Sequence, residues 1–560
     1  MTHATPLPAP DNFPVQWPEP GMETHFWTWD QMHQPHPLTP LTATFEAPAF
    51  VEGSTIGFRA IAIPLTMHSF VVNGYNYNSN VFDGGAVSFP PPWWPDVEQE
   101  FMRRLPVLTQ TWEQEYLPEI QSINQRLRDF DYAGASMDEL LAFIDEAKRM
   151  RVRAWDIHMQ VVIPVMGAAS RFAEMYEHFL GKPQNNEHYL LLQGFENKSV
   201  ESGKALWDLS RRAREQPAVV ALFSETPIDA LAGELQASPE GRAFWDDLQT
   251  YLEEYGWRSD AFELADPAWA EDPSIALATL RDMIASPDEA DPALSERRSR
   301  NEREQLVEET MAMLDGHEGR PLFEMMLGVA QQYLPIQENH NFYIDQMNTV
   351  LLRLPFLEFG RRLAGAGTIA ARDDVFYLTV DELPVAANEP EPVLSGAEGG
   401  RDWRALVEER RAERERWSRV VPPRELGTLP PPQAAENPMS KLFFGERREA
   451  SRDPKVITGI GASAGTVTGT ARVVHSLSEA HKLQPGDILV CEMTMPAWTP
   501  LFASVSAVVA DSGGVLSHCA IVAREYRIPC VVGTQNGTQM LKDGQRVTVD
   551  GAQGVVRVEG

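Results

Sequence analysis

Apolar residues recur at helical spacing through the middle of the chain and give way to short alternating runs near its end. MDELLAFIDEAKRMRVRAWDIHMQVVIPVM (137–166), FWDDLQTYLEEYGW (244–257) and EREQLVEETMAMLDGH (302–317) each set an apolar stripe on one helix face, and residues from about 100 to 380 read as mostly helical. FEMMLGVAQQYLPIQENHNFYIDQMNTVLLRLPFLEFGRRLAGAG (323–367) predicts a long helix that Pro335 and Pro355 kink or interrupt. The first hundred residues are rich in Pro, Trp and Phe, with β-like runs at 54–64 (STIGFRAIAIP) and 68–78 (HSFVVNGYNYN). Residues 384–440 are Pro- and Gly-rich around one charged helix, WRALVEERRAERERW, and read either as a stiff linker between moving parts or as a plain surface connection. From 441 onward Gly-broken β-runs surround a single helix, SHCAIVAREY (517–526). The pattern predicts a multidomain α+β protein with a large, mainly helical part (1–383), a linker (384–440) and a compact mixed domain (441–560).

Composition narrows the partners. The 560 residues carry a net charge of -32, which argues against a nucleic-acid footprint and against docking on anionic membranes. Cys491, Cys519 and Cys530 match no CxxC spacing, and no ligand cluster suggests a metal site in this chain. The polar, Pro-rich start lacks the regions of a signal peptide, and no apolar run is long enough to cross a bilayer, so a cytoplasmic location is expected.

The stretch DSGGVLSHCAIVAREYRIPCVVGT (511–534) holds the most specific chemistry. An apolar strand runs into Gly513-Gly514, Ser517 falls at an N-cap, and His518 opens a helix. Free N–H groups at a helix start favour an anion, such as a phosphorylated imidazole, and the two glycines let the backbone approach closely. Taken alone, a Ser-His pair after Gly-Gly more often has a capping or structural role. The longer run, with GASAGTVTGTARVV (461–474) and PGDILVCEMTMPAWTPLF (485–502), resembles the swivelling phosphohistidine domain of phosphoenolpyruvate-utilising enzymes. That resemblance implies a C-terminal β/β/α domain in which His518 carries a phosphoryl group. It gives supporting roles to Ser517, Gly513, Gly514, Thr499, Arg524 and Glu525 and leaves Cys519 and Cys530 as small packing residues.

WDQMHQPHPLTPL (29–41), EYGWRSDAFELADPAWAEDP (254–273), YLPIQENHNFYIDQ (333–346) and DDVFYLTVDEL (373–383) resemble the acceptor-binding domains of the rifampin phosphotransferase and phenylphosphate synthase families. No ATP-grasp module is recognisable in the 560 residues. The resemblance to the split phenylphosphate synthase arrangement implies a separate ATP-grasp subunit that binds ATP and Mg2+, loads His518 and releases AMP and inorganic phosphate. Where those families carry cations, residues 337–341 read QENHN, which suits a neutral acceptor: an aromatic hydroxyl of a phenol or para-hydroxyphenyl ketone. His340 is a candidate base that Glu338 orients, or Glu338 takes the proton itself; a satisfied helix histidine is an equal reading. Arg258 and Arg361 are candidates to hold the transferring phosphoryl group, against the commoner fate of a surface ion pair. His33, Trp29, Tyr75, Tyr77 and His158 are candidates to contact the acceptor, against equally plausible core roles. Two rival functions stay open, an antibiotic phosphotransferase of the rifampin type and a non-catalytic phosphohistidine carrier or regulator.

Overall fold

A computed structural model describes residues 5–31, 33–83, 90–183, 186–388, 401–429, 453 and 455–559. The protein is multidomain α+β and folds into two compact units, each assembled from separated stretches of chain. The first takes residues 1–162, 261–267 and 343–437; the second takes 163–260, 268–342 and 438–560.

The first unit contains a five-stranded sheet in the order β1-β5-β2-β4-β3, formed by β1 (Thr5–Pro6), β2 (Phe26–Trp29), β3 (Leu65–Val72), β4 (Tyr75–Phe82) and β5 (Glu425–Leu429). The expected run at 68–78 is the β3–β4 hairpin, closed by Asn73-Gly74. Both turn residues have positive φ, 52° and 83°, which matches the twist of a two-residue hairpin. The other early run, 54–64, differs from expectation: its first half completes the helix Pro40–Ala60. Gly53 and Gly57 press that helix against Met137–Leu180; a Cβ on Gly57 would lie 2.6 Å from Asp156 O and from Met159 Cβ. Close packing therefore overrides the β-like composition there.

The stretch 384–440 also departs from its reading as a linker. Its described part, 401–429, holds the helix Trp403–Ser418 and strand β5, which pairs with β1 and β2 inside the first unit's sheet. Trp417 and Leu426 are buried in the same cluster as Phe13, Trp27 and Tyr77. The rest of that stretch lies outside the described residues. The helical part likewise does not close as one body at 383, because residues 163–260 and 268–342 belong to the second unit.

In the second unit, helices from 163 to 342 stand with an eight-stranded sheet, ordered β6-β13-β12-β8-β9-β10-β11-β7. The strands are β6 (Val456–Thr458), β7 (Ile460–Ser463), β8 (Thr466–Val473), β9 (Ile488–Cys491), β10 (Ala507–Ala510), β11 (Cys530–Val532), β12 (Arg546–Asp550) and β13 (Val555–Val558). β8, β9, β10 and β11 run parallel to one another, and the remaining pairs are antiparallel. The predicted helix appears as His518–Tyr526. Leu516 and Ile521 from this region share a core with Phe172, Leu191, Leu192, Phe323 and Leu327 of the helical part. Each such buried side chain contributes about 1.5–3 kcal/mol. Among the described residues no helix is long and apolar enough to cross a membrane.

The helix Arg320–His340 runs straight through Pro335. The irregularity falls instead in the wide π-type turns Asn341–Asn348, and Pro355 lies in the first turn of a new helix, Arg353–Gly365.

Candidate active site around His518

Chain geometry places the histidine. β10 ends at Ala510, and the following turn needs Gly513, whose φ of 105° is a conformation L residues avoid. A Cβ on Gly513 would also meet Ser517 Oγ at 2.8 Å. Gly514 O accepts the Ser517 N–H at 3.0 Å, and Ser517 Oγ caps the helix by accepting from Ala520 N at 3.4 Å. His518 then follows as the first helical residue, buried with 9% of its surface exposed.

Both ring nitrogens have partners. Nδ1 stands 3.0 Å from Glu338 Oε2, and Nε2 stands 3.2 Å from Thr499 Oγ1 in the turn Pro496–Ala503. A carboxylate only accepts, so Nδ1 carries the ring proton and Nε2 presents its lone pair to the Thr499 hydroxyl. Ser199 Oγ donates to the same Glu338 Oε2 at 2.8 Å. Burial alone would raise the Glu338 carboxyl, but His518, the Ser199 hydroxyl and nearby His340 together hold it below its ordinary value. Glu338 is therefore an anion facing the His518 ring.

Two further carboxyls lie where the C-terminal region meets the helices. Glu525 Oε1 accepts from Gly194 N at 2.7 Å, and burial lifts this carboxyl to about 7. Asp260 accepts from Leu477 N at 2.6 Å and from Trp498 Nε1 at 2.8 Å, and burial lifts it to about 6.

The structure thus brings together His518, Glu338, Thr499, Ser517, Gly513 and Gly514 as one site. Glu338 bonds to the His518 ring; from the sequence it was expected to orient His340 or to take the acceptor proton itself. His340 is buried, and its Nδ1 lies 3.2 Å from Ile336 O of its own helix. Arg524 points away from a phosphoryl role: its Nη1 donates to Ala462 O at 3.0 Å, and its guanidinium stands 5.7 Å from the Tyr189 ring. Arg258 is buried, donates to Tyr255 O at 2.6 Å and stands 5.3 Å from the Trp269 ring and 5.6 Å from that of Phe342. Arg361 is exposed on the first unit and paired with Glu358 one turn away at 2.7 Å, the surface ion pair that was its alternative.

In the first unit, Tyr75 and Tyr77 pack in the aromatic core with Phe13 and Trp417 and donate to backbone carbonyls of Trp417, Val420 and Pro423. Trp29 stacks edge-on against Tyr75 at 5.5 Å. Tyr75 and Tyr77 belong to the sheet's buried core, and Trp29 packs against it, partly exposed. His33 pairs with Asp30 at 2.9 Å, and His158 with Asp345 at 2.8 Å, on either side of the Trp155 ring. Burial pulls the His33 imidazole down, but the charge and hydrogen bond of Asp30 outweigh it and hold the ring above its ordinary value.

Ser199, Asp260 and Gly194 gave no signal in the sequence. Ser199 follows an N-cap asparagine, Asn197, and such a cap announces a helix start without saying which carboxylate the helix will meet.

Comparison with known proteins agrees with this division of labour. Residues 158–338 match the rifampicin phosphotransferase fourth domain, and residues 483–554 match the mobile domain of PEP-utilising enzymes. Glu338 and His518 lie one in each matched stretch. The likeness to the PEP-utilising enzymes thus falls on two stretches, one in the helical part and one at the C-terminal end. Over 98% of its length it is 36% identical to chondramide synthase cmdD of Chondromyces crocatus, covering 14% of that protein. Over 95% it is 30% identical to the uncharacterized phosphotransferase YvkC of Bacillus subtilis, covering 62% of it. Over 75% it is 29% identical to rifampicin phosphotransferase of Streptomyces sviceus, covering 46% of it. The chain thus spans less than two thirds of the length of each of these relatives.

Proposed function

We propose that this chain is the acceptor-and-carrier portion of an ATP-dependent phosphotransferase, with His518 as the carrier and an aromatic hydroxyl as the acceptor. The observation that carries the reading is the His518 ring, with its Nδ1 proton on anionic Glu338 and its Nε2 lone pair free to exchange Thr499 for phosphorus. An ATP-grasp module on a partner subunit, holding ATP and Mg2+, would load the histidine and release AMP and inorganic phosphate. The Nε2 lone pair forms the N–P bond, and Glu338 faces the imidazolium that results. On discharge the acceptor oxygen forms the P–O bond, the N–P electron pair returns to Nε2, and the ring leaves neutral because Nδ1 keeps its proton. The acceptor proton passes to a base, for which buried His340, on the same helix as Glu338, or Glu338 itself is the candidate. The stretch 337–341, which holds neither Arg nor Lys, supports a neutral acceptor such as a phenol or para-hydroxyphenyl ketone.

The test is intact-mass spectrometry at alkaline pH, where phosphoramidates survive, after incubation with Mg-ATP and a candidate ATP-grasp partner. One added phosphoryl group, absent from His518→Ala and discharged by a phenol, is the expected result. No phosphorylation with a partner that is competent on a related carrier refutes the reading. Loading without discharge to any hydroxyl acceptor points instead to a non-catalytic carrier. A second acceptor reading, an antibiotic of the rifampicin type, is favoured by the match over 158–338. It predicts discharge by rifampicin and not by small phenols.

A further inference from the structure

Glu338 is bonded through one oxygen only. Its Oε2 meets both His518 Nδ1 and Ser199 Oγ, while its Oε1 is buried without a hydrogen-bond partner among the described residues. The orientation of the carboxylate therefore depends on Ser199. That serine is itself fixed: it lies in the first turn of the helix Lys198–Arg214, where Asn197 Oδ1 accepts the Ser199 and Val200 N–H groups at 3.0 Å each. One residue earlier, Lys198 N donates to Asn339 Oδ1 at 2.9 Å. The start of one helix thus grips two successive residues, 338 and 339, at the end of another. Ser199 is buried, so water does not readily replace its hydroxyl.

We infer that Ser199 is a positioning residue for phosphoryl transfer: by fixing Glu338 it keeps the His518 proton on Nδ1 and so leaves Nε2 as the nitrogen that takes and releases phosphorus. The inference rests on His518 being the carrier. Without the serine hydroxyl the carboxylate is free to turn on its side-chain bonds. The ring can then hold its proton on Nε2, donating to Thr499 Oγ1, and in that tautomer Nε2 has no lone pair for phosphorus.

The test uses the full chain with 15N-imidazole-labelled histidine, and the His518 signals are assigned by their loss in His518→Gln. Nitrogen shifts distinguish the two neutral tautomers directly. Wild type and Ser199→Thr, which keeps the hydroxyl, are expected to show a single Nδ1–H tautomer. Ser199→Ala is expected to show a mixture, as is Ser199→Cys, which keeps the bulk with a poor donor and serves if the alanine variant does not fold. Phosphoramidate, a small-molecule phosphoryl donor, then reads reactivity without any partner. Labelling at Nε2 should fall roughly tenfold in Ser199→Ala, the loss of one hydrogen bond to a charged acceptor, and recover in Ser199→Thr. A folded Ser199→Ala or Ser199→Cys protein with the wild-type tautomer and wild-type labelling overturns the inference. Failure of the wild type itself to accept phosphorus on His518 counts against the carrier reading, and the tautomer comparison still decides the role of Ser199.

Discussion

Replacing Glu525 by Gln should stabilise the second unit at pH 8 and leave it nearly unchanged at pH 4.5. Glu525 sits at the C-terminal end of the His518 helix with one oxygen on Gly194 N–H and the other buried without a hydrogen-bond partner among the described residues. Burial is the largest influence on its carboxyl; Glu296 and Glu338 push in the same direction, and Gly194 N–H and Arg524 oppose them. The result is a carboxyl lifted from 4.5 to about 7. A folded-state value above the unfolded one means that the folded protein binds the extra proton. Its contribution is fully present below about 4.5 and is lost as pH rises through 7. Converting that gap gives on the order of 3 kcal/mol lost by pH 8. Glutamine keeps the Gly194 bond and cannot ionise, so it escapes the loss. In a unit of this size the difference corresponds to a rise of several degrees in melting temperature at pH 8. Thermal unfolding of both proteins from pH 4.5 to 8, followed by hydrogen exchange in the 518–526 peptide, measures it. A difference that does not grow with pH, or a Gln variant less stable than wild type at pH 8, would refute the assignment of this carboxyl.

Two other substitutions test the placement of residues in the first unit. Arg151 is fully buried, forks onto Glu46 and donates to Ile344 O, Asn348 Oδ1 and Thr349 Oγ1. Arg151→Ala leaves the Glu46 charge buried and unpaired, and should cost roughly 3–5 kcal/mol in urea unfolding, with Glu46→Gln in the same background recovering part of the loss. Arg361→Ala, which removes only an exposed pair with Glu358, should change neither the melting temperature nor phosphoryl loading measured by intact mass.

Legibility in the sequence followed the range of the forces involved. His518, Ser517 and the two glycines lie within six residues, and turn, cap and helix start are fixed by local sterics and hydrogen bonds, so a short motif sufficed to place them. Glu338 was picked out, with His340 close to it, but its bond to His518 was not legible, because that partner stands 180 residues away in the chain. Ser199 was silent for the same reason. The run at 54–60 was misjudged because Ile56 and Thr55 look like strand residues, whereas Gly53 and Gly57, on the same stretch, admit a second helix at contact distance. Tyr75 and Tyr77 illustrate an ambiguity of chemistry: a phenol that lines a pocket and one that ties a core to a backbone carbonyl have the same letter, and only the Trp417 and Pro423 carbonyls distinguish them. The segment 401–429 read as a tether because Pro and Gly flank it, yet the buried Trp417 and a five-residue strand secure it to the sheet.

That strand has a consequence for how the protein is made. β2 waits for β5 across roughly 400 residues, since Phe26 is registered against Gly427. At a synthesis rate of about 5–20 residues per second, the β2 edge stays open on the ribosome for about 20–80 s after it has emerged. During that interval Phe26 and Trp27 are displayed on an unpaired edge, the situation in which strands of neighbouring nascent chains find each other.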